Sequence, residues 1–215
     1  QFEIAKNLYP IMESNFMGDG KWNNRPIYYI LLSLIRRRPR DLVNLCTLAA
    51  RSANENKHDK INTEDWEYVF ERYSQDRLQD TINEHRYELP EIERLLLGMK
   101  PSHKTKKTSD SFVYTEEKLL SKVQGIVQNG KFLFSTGKEA TVKELIAFMY
   151  KINFLVGRKI DTDGYISRKY YEEQRYLSTS YVNFGYDWEV HPAFRWALYP
   201  ESRDIFSNID VPSLL

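Results

Sequence analysis

The chain has 215 residues, with 31 Lys and Arg against 30 Asp and Glu, for a formal net charge of +1. That balance excludes a protein that holds nucleic acid by its overall charge, so any basic site has to be local. A composition of 41% hydrophobic and 14% aromatic residues is enough for a real core, in one large domain or two small ones.

A single cysteine, Cys46, allows no disulfide within the chain, which fits a reducing, cytoplasmic setting. No apolar run reaches the ~18 residues of a membrane span, and no signal peptide opens the chain. No membrane partner is therefore expected. The opening Gln1-Phe2-Glu3-Ile4-Ala5 reads like the middle of something, so a fragment of a longer protein is expected.

Residues 1–24 carry a weak helical pattern at Ile4, Leu8, Ile11 and Met12, then a turn at Gly18-Asp19-Gly20. Arg25-Pro26 opens an apolar segment that runs through Ile27 and Leu32 to Ile35, with Pro26 fitting a first helical turn. Next comes Arg36-Arg37-Arg38-Pro39-Arg40-Asp41-Leu42. Leu42, Leu45, Cys46, Ala49, Ala50 and Ala53 repeat at helical spacing and predict a helix from about Pro39 to Asn54, with Pro39 in its first turn and Cys46 as a core thiol. Four arginines thus sit at or just before a helix N-terminus. That end carries partial positive charge, so cations there are unfavourable by a few tenths to ~1 kcal/mol each. Asp41 offsets part of this. The remainder calls for an exchangeable anion, of which a phosphate gripped by arginine is the obvious candidate, or for acidic groups elsewhere in the fold.

Asn62-Thr63-Glu64-Asp65 caps a further helix that ends near His85 and buries Trp66, Val69, Phe70 and Tyr73. Leu78 and Ile82 lie on a rotated face, so this helix bends or changes partner near Ser74. Leu89-Pro90-Glu91-Ile92 starts a short helix to Gly98. Residues 100–111 are polar and basic without an apolar anchor; they predict a solvated linker rather than a nucleic-acid tract.

A second unit follows. Thr115 caps a helix that buries Leu119, Leu120, Val123, Ile126 and Val127, and Thr141 caps one with Val142, Leu145, Ile146 and Met149. Phe154-Leu155-Val156 and Tyr181 to Tyr186 read as strands around a long turn, and His191 to Leu198 as a last short helix. Helix, helix, strand, long turn, strand is the plan of a winged-helix domain, with residues 141–152 at the recognition position and 157–180 as a long wing. The candidate contacts to nucleic acid or a partner are Lys143, Lys151, Arg158, Lys159, Arg168 and Lys169. Tyr165, Tyr170, Tyr171, Tyr176, Tyr181, Phe184, Tyr186 and Trp188 interleave with cations and could stack single-stranded bases. Aromatics on strands more often build a small core. The strand residues are taken as core, and Tyr165 to Arg175 stay open.

Catalytic chemistry is not legible. His58, His85, His103 and His191 have no metal-ligand spacing, and no metal site is expected. His191, before a proline, reads as a structural hydrogen-bonding residue. Asp161-Thr162-Asp163-Gly164 starts like a calcium loop with Glu172 at position twelve, but Ile166 stands where that loop needs glycine. There is no G-x-x-x-x-G-K-[ST].

Arg38-Pro39-Arg40-Asp41-Leu42, Ala49-Ala50, Ile61 with Asp65, Tyr73-Ser74 and Glu84 together resemble the C-terminal part of bacterial P-loop ATPases of the STAND/AAA+ type, relatives of the replication-initiator ATPases. The end of the chain, Phe154-Leu155 to His191-Pro192-Ala193-Phe194, is similar to the winged-helix end of that family. The resemblance covers residues 25–200 loosely. It implies a mainly α fold with a small β-wing: a helical lid subdomain over 1–99 with the end of an ATPase core, a linker at 100–111, a winged-helix-like domain over 112–200 and a C-terminal arm at 201–215. It implies nucleotide sensing by Arg40, with Arg38 as second choice. Without Walker motifs this chain has no catalytic residue of its own. ATP and Mg2+ belong to the full-length context, with the missing N-terminal ATPase core as partner and a homo-oligomer, protein or DNA as further candidates. The function expected is a regulatory C-terminal fragment coupling nucleotide state to partner or DNA contact, with phage defence a setting implied by analogy. The alternative is a DNA-binding winged-helix regulator without nucleotide chemistry.

Overall fold

The computed structural model describes residues 9–18, 20–36, 38–101, 112–160, 162, 166–175 and 186–199. Expectations on residues 1–8, most of the 100–111 linker, the acids Asp161 and Asp163, the aromatics Tyr165, Tyr176, Tyr181 and Phe184, and the 201–215 arm lie outside them.

Two-residue strands β1 (Asn15–Phe16) and β2 (Arg25–Pro26) pair antiparallel around a 3-10 turn, Gly20–Trp22. Trp22 is fully buried and meets Phe16 and Phe70 edge-on. Pro26 then acts as the N-cap of α1 (Ile27–Leu34), one residue earlier than expected. Helix α2 spans Pro39–Glu55 with Pro39 at its start, where a missing N–H costs nothing. Its N-cap, Arg38, makes no side-chain cap, and the Asp41 N–H donates to the Arg38 carbonyl at 3.0 Å.

Helix α3 (Thr63–His85) opens on a capping box. Asn62 accepts from the Asp65 N–H while the Asp65 carboxylate accepts from the Asn62 N–H. Asp65 also accepts from Ser52 of α2 at 2.8 Å and pairs with His58 at 2.9 Å, tying the end of one helix to the start of the next. Helix α3 is continuous over 23 residues. What changes at Ser74 is the partner. The Tyr73 hydroxyl donates to the Leu34 carbonyl, whereas the Ser74 hydroxyl accepts from the Ala197 N–H of the last helix.

Helix α4 (Ile92–Gly98) leads to β3 (Val113–Tyr114) and α5 (Glu116–Gln128), which Thr115 caps as expected. Arg94 stacks on Phe132 at 3.7 Å and donates to the carbonyls of Ile126, Gly130 and Lys131, fixing α4 to the turn after α5. Helix α6 (Val142–Lys151) starts on a Thr141–Glu144 capping box. Asn153 takes φ of +56°, the left-handed region Asn tolerates, and its side chain holds Glu172 and the Tyr171 N–H. Strands β4 (Leu155–Ile160), β5 (Ile166–Lys169) and β6 (Asp187–Val190) follow, and α7 (Pro192–Leu198) closes the described chain. His191 caps α7 by accepting from the Ala193 N–H, the structural role expected of it.

The four-stranded sheet is antiparallel in the order β3-β6-β4-β5. Among the described residues the fold is mainly helical, with seven helices and two small antiparallel sheets. One contiguous apolar cluster runs from Met12 to Leu198, so both halves of the sequence share a core. Helix α7 brings this about by lying along α3 and touching α1. No helix among the described residues is long and apolar enough to cross a membrane.

Candidate functional site

The arginines at the start of α2 divide into two tiers. The inner tier is buried. Arg36 donates through Nε to Asp41 Oδ2 at 2.9 Å and through Nη1 to Thr81 Oγ1 at 2.6 Å. Arg77 of α3 donates to Asp41 Oδ1 at 2.8 Å. Asp41 and Arg36 side chains have no exposure at all. Burial alone would raise the Asp41 pKa, but hydrogen bonds and charge from Arg36 and Arg77 outweigh it and hold the carboxyl below its ordinary value. This tier pins the first turn of α2 to the middle of α3.

The outer tier reaches water. Arg38 Nη1 donates to Glu84 Oε2 at 2.8 Å, and Arg40 Nη2 donates to the other oxygen, Glu84 Oε1. The side chains of Arg38, Arg40 and Glu84 are 32%, 56% and 30% exposed. Two guanidinium groups therefore converge on one carboxylate beside an uncapped helix N-terminus. Behind Glu84, His85 packs edge-on to Phe148 of α6, with Nε2 3.9 Å from Glu84 Oε2. That nitrogen is buried and has no hydrogen-bond partner among the described residues. Burial first, then Arg38, Lys151 and Arg36, keep the His85 pKa below its usual value against the pull of Glu88.

A second buried polar cluster lies on the sheet. Arg158 of β4 stands opposite Arg168 of β5, a like-charge pair that would repel. Glu189 of β6 joins them: Arg158 Nε lies 3.1 Å and Arg168 Nε 2.6 Å from its oxygens, and Arg195 of α7 adds a contact at 2.9 Å. Arg36 sits 5.5 Å over the Phe194 ring, so the two clusters meet across α7. His191, fully buried, lies within their field. Desolvation first, then Arg168, Arg36 and Arg195, push its pKa well below the usual histidine value.

The basic residues expected to meet nucleic acid or a partner have different surroundings. Arg158 and Arg168 turn inward to Glu189. Lys151 donates to both oxygens of Glu88. Lys143 is exposed on α6, and Lys159, also exposed, lies 5.6 Å over the Tyr186 ring. Lys169 is half-buried. On the aromatic stretch left open, Tyr170 is buried with its hydroxyl 3.4 Å from His191 Nε2, and Tyr171 and Trp188 pack edge-on against Tyr150. Cys46 is half-buried against the core, and burial raises its thiol pKa to about 11, which disfavours the thiolate at neutral pH. No group of acids, histidines and cysteine suited to a metal occurs among the described residues.

Sequence reading missed Arg77, Thr81, Glu189 and Arg195. A signal existed for the first two. They continue the helical spacing of Trp66 and Tyr73, and a polar residue in register with a buried stripe marks a buried network. Glu189 and Arg195 carried no such mark.

With this geometry in hand, residues 13–82 match the family model described as a FunZ-associated C-terminal helical domain. The match runs from β1 through α1 and α2 into most of α3, so it contains the inner arginine tier and the start of α2, and stops just short of Glu84. Over these residues the chain is similar to a helical domain from the C-terminal part of a larger protein. No curated protein and no solved structure gives a significant match to the chain.

Proposed function

We propose that this chain is a regulatory C-terminal module of a P-loop ATPase of the STAND/AAA+ type, in which Arg40, assisted by Arg38, reads the phosphates of a nucleotide held by the ATPase core. The observation that carries this is the outer tier: two partly exposed guanidinium groups at an uncapped helix N-terminus, sharing a single carboxylate. A phosphate oxygen cluster is the ligand such an arrangement suits, by charge, by fork geometry and by the helix dipole. The match to a C-terminal helical domain supports a module that works beside another part of a larger protein. ATP and Mg2+ would come with that core. The inner tier gives the arms a rigid base, because α2 cannot tilt without breaking the Arg36–Asp41–Arg77 contacts.

In this reading residues 1–99 are the lid and 112–200 a winged-helix-like unit whose α6 stands at the recognition position. The unit acts on a protein partner or on a second copy in preference to DNA. Of the six basic candidates, Arg158 and Arg168 are buried on Glu189 and Lys151 is held by Glu88, which leaves a poor phosphate-binding surface. The test is hydrogen exchange of the full-length protein with and without ATP and Mg2+. Altered exchange at residues 38–43 and 82–86 on nucleotide addition is expected. Unchanged exchange there, with changes elsewhere, would sink the proposal.

A further inference from the structure

We infer that Glu84 is a latch: an internal carboxylate that occupies the anion site between Arg38 and Arg40 and must leave before a phosphate can enter. This rests on the reading of Arg38 and Arg40 given above and adds the regulation of that site. Three observations carry it. The clasp is not needed to hold α2 on α3, because the buried contacts of Arg36 and Arg77 to Asp41 already do so. All three clasp side chains are in contact with water, and ion pairs so exposed contribute little to stability. Finally, a released carboxylate has somewhere to go. His85 Nε2 lies 3.9 Å from Glu84 Oε2, is buried and has no hydrogen-bond partner among the described residues. Burial lowers the His85 pKa and so favours the neutral imidazole, and the Nε2–H tautomer of that form would donate to the displaced oxygen.

Glu84 Oε2 therefore has two partners within reach: the Arg38 guanidinium at 2.8 Å in the closed form, and His85 Nε2, now 3.9 Å away, in the open one. A single carboxylate against two guanidinium groups also leaves one positive charge over, which favours an incoming polyphosphate with two or more charges. The latch sets the apparent affinity through the open fraction. If the clasp is open a tenth of the time, binding is about tenfold weaker than in a protein without it.

The test is titration of the 215-residue chain with inorganic tripolyphosphate at low salt, followed by calorimetry. Glu84→Gln, which keeps the shape and removes the charge, should bind about tenfold tighter than the natural chain, and Arg38→Ala/Arg40→Ala should lose the binding. The His85 ring signals should shift on titration of the natural chain and not of Glu84→Gln. Equal affinities of the natural chain and Glu84→Gln, or binding by neither, overturn the latch. Binding retained by Arg38→Ala/Arg40→Ala overturns the sensor reading instead, so the two failures are distinguishable. Melting curves of each variant guard against misfolding, and a Glu84→Asp variant, which keeps the charge but shortens the reach, should bind with an affinity between those of Gln and Glu.

Discussion

Replacing Asp41 by Asn should be among the most damaging isosteric changes in this chain. The side chain keeps its shape but loses the charge that holds two buried arginines, Arg36 and Arg77, whose contacts to it are 2.9 and 2.8 Å. Breaking a buried ion pair by removing one partner costs about 3–5 kcal/mol, because the other charge stays buried and uncompensated. Here Arg36 is left without an acid among the described residues while Arg77 keeps its 2.8 Å contact to Asp80, so the lower part of that range applies. For a domain of this size each kcal/mol moves the melting temperature by about 2–4 °C, so a fall on the order of 10 °C is expected. The assay is thermal and urea unfolding of Asp41→Asn beside Asp41→Asn/Arg36→Met, which removes the stranded charge and should recover part of the loss. The pH dependence follows with a definite sign. The folded pKa of Asp41 lies below its unfolded value, so its contribution is fully present above the unfolded pKa of about 3.9 and is lost as pH falls through the lower folded value. A melting temperature within 2 °C of the natural chain for Asp41→Asn would refute the network as a source of stability.

His191 is neutral and buried in the folded chain, with its pKa well below the usual value, so it favours folding above about pH 6.5 and progressively disfavours it as pH falls below that. His191→Gln should flatten the loss of stability between pH 6.5 and 5 measured by urea unfolding; an unchanged slope would assign the loss to other groups. Thr141→Ala removes the side chain that accepts from the Glu144 N–H at the start of α6 and should lower stability by about 1 kcal/mol, read as a shift of a few degrees in the melting temperature. No shift would mean that α6 is held by packing alone.

Much of the helical scaffold could be read from the chain. The caps Asn62, Thr115 and Thr141 and the apolar periods fix helix starts and ends locally, within two residues of those found. The arginine run posed a problem of charge at a helix N-terminus and left two solutions, an exchangeable anion or acids elsewhere. Asp41 and Glu84 supply the acids, and Glu84 lies 44 residues from Arg40 in sequence. No local rule connects such positions, so only the packing of α2 on α3 brings the two together. The same holds for Glu189 with Arg158 and Arg168. Strand periodicity marks cations as a surface, yet the sheet register puts both arginines on one face, where one carboxylate, also met by Arg195 of α7, gathers them. The docking of α7 on α3 through Ser74 and Ala197, 123 residues apart, was legible only as a change of face in α3.

The central claim, that Arg40 reads a nucleotide phosphate, is tested most directly by steady-state ATP hydrolysis of the full-length protein carrying Arg40→Ala, measured per folded molecule. An arginine on a transferring phosphate can be worth a factor of ~10³ or more in rate. Arg40→Ala should therefore cut turnover by orders of magnitude while moving the melting temperature of this chain by no more than a degree or two, since the arginine is more than half exposed. Arg38→Ala should do less, and Arg51→Ala, on the same helix and remote from its start, should leave turnover near that of the natural protein. If Arg40→Ala instead destabilises the chain strongly, and turnover falls only in proportion to the folded protein, Arg40 is a structural partner of Glu84 and the account of the site is wrong.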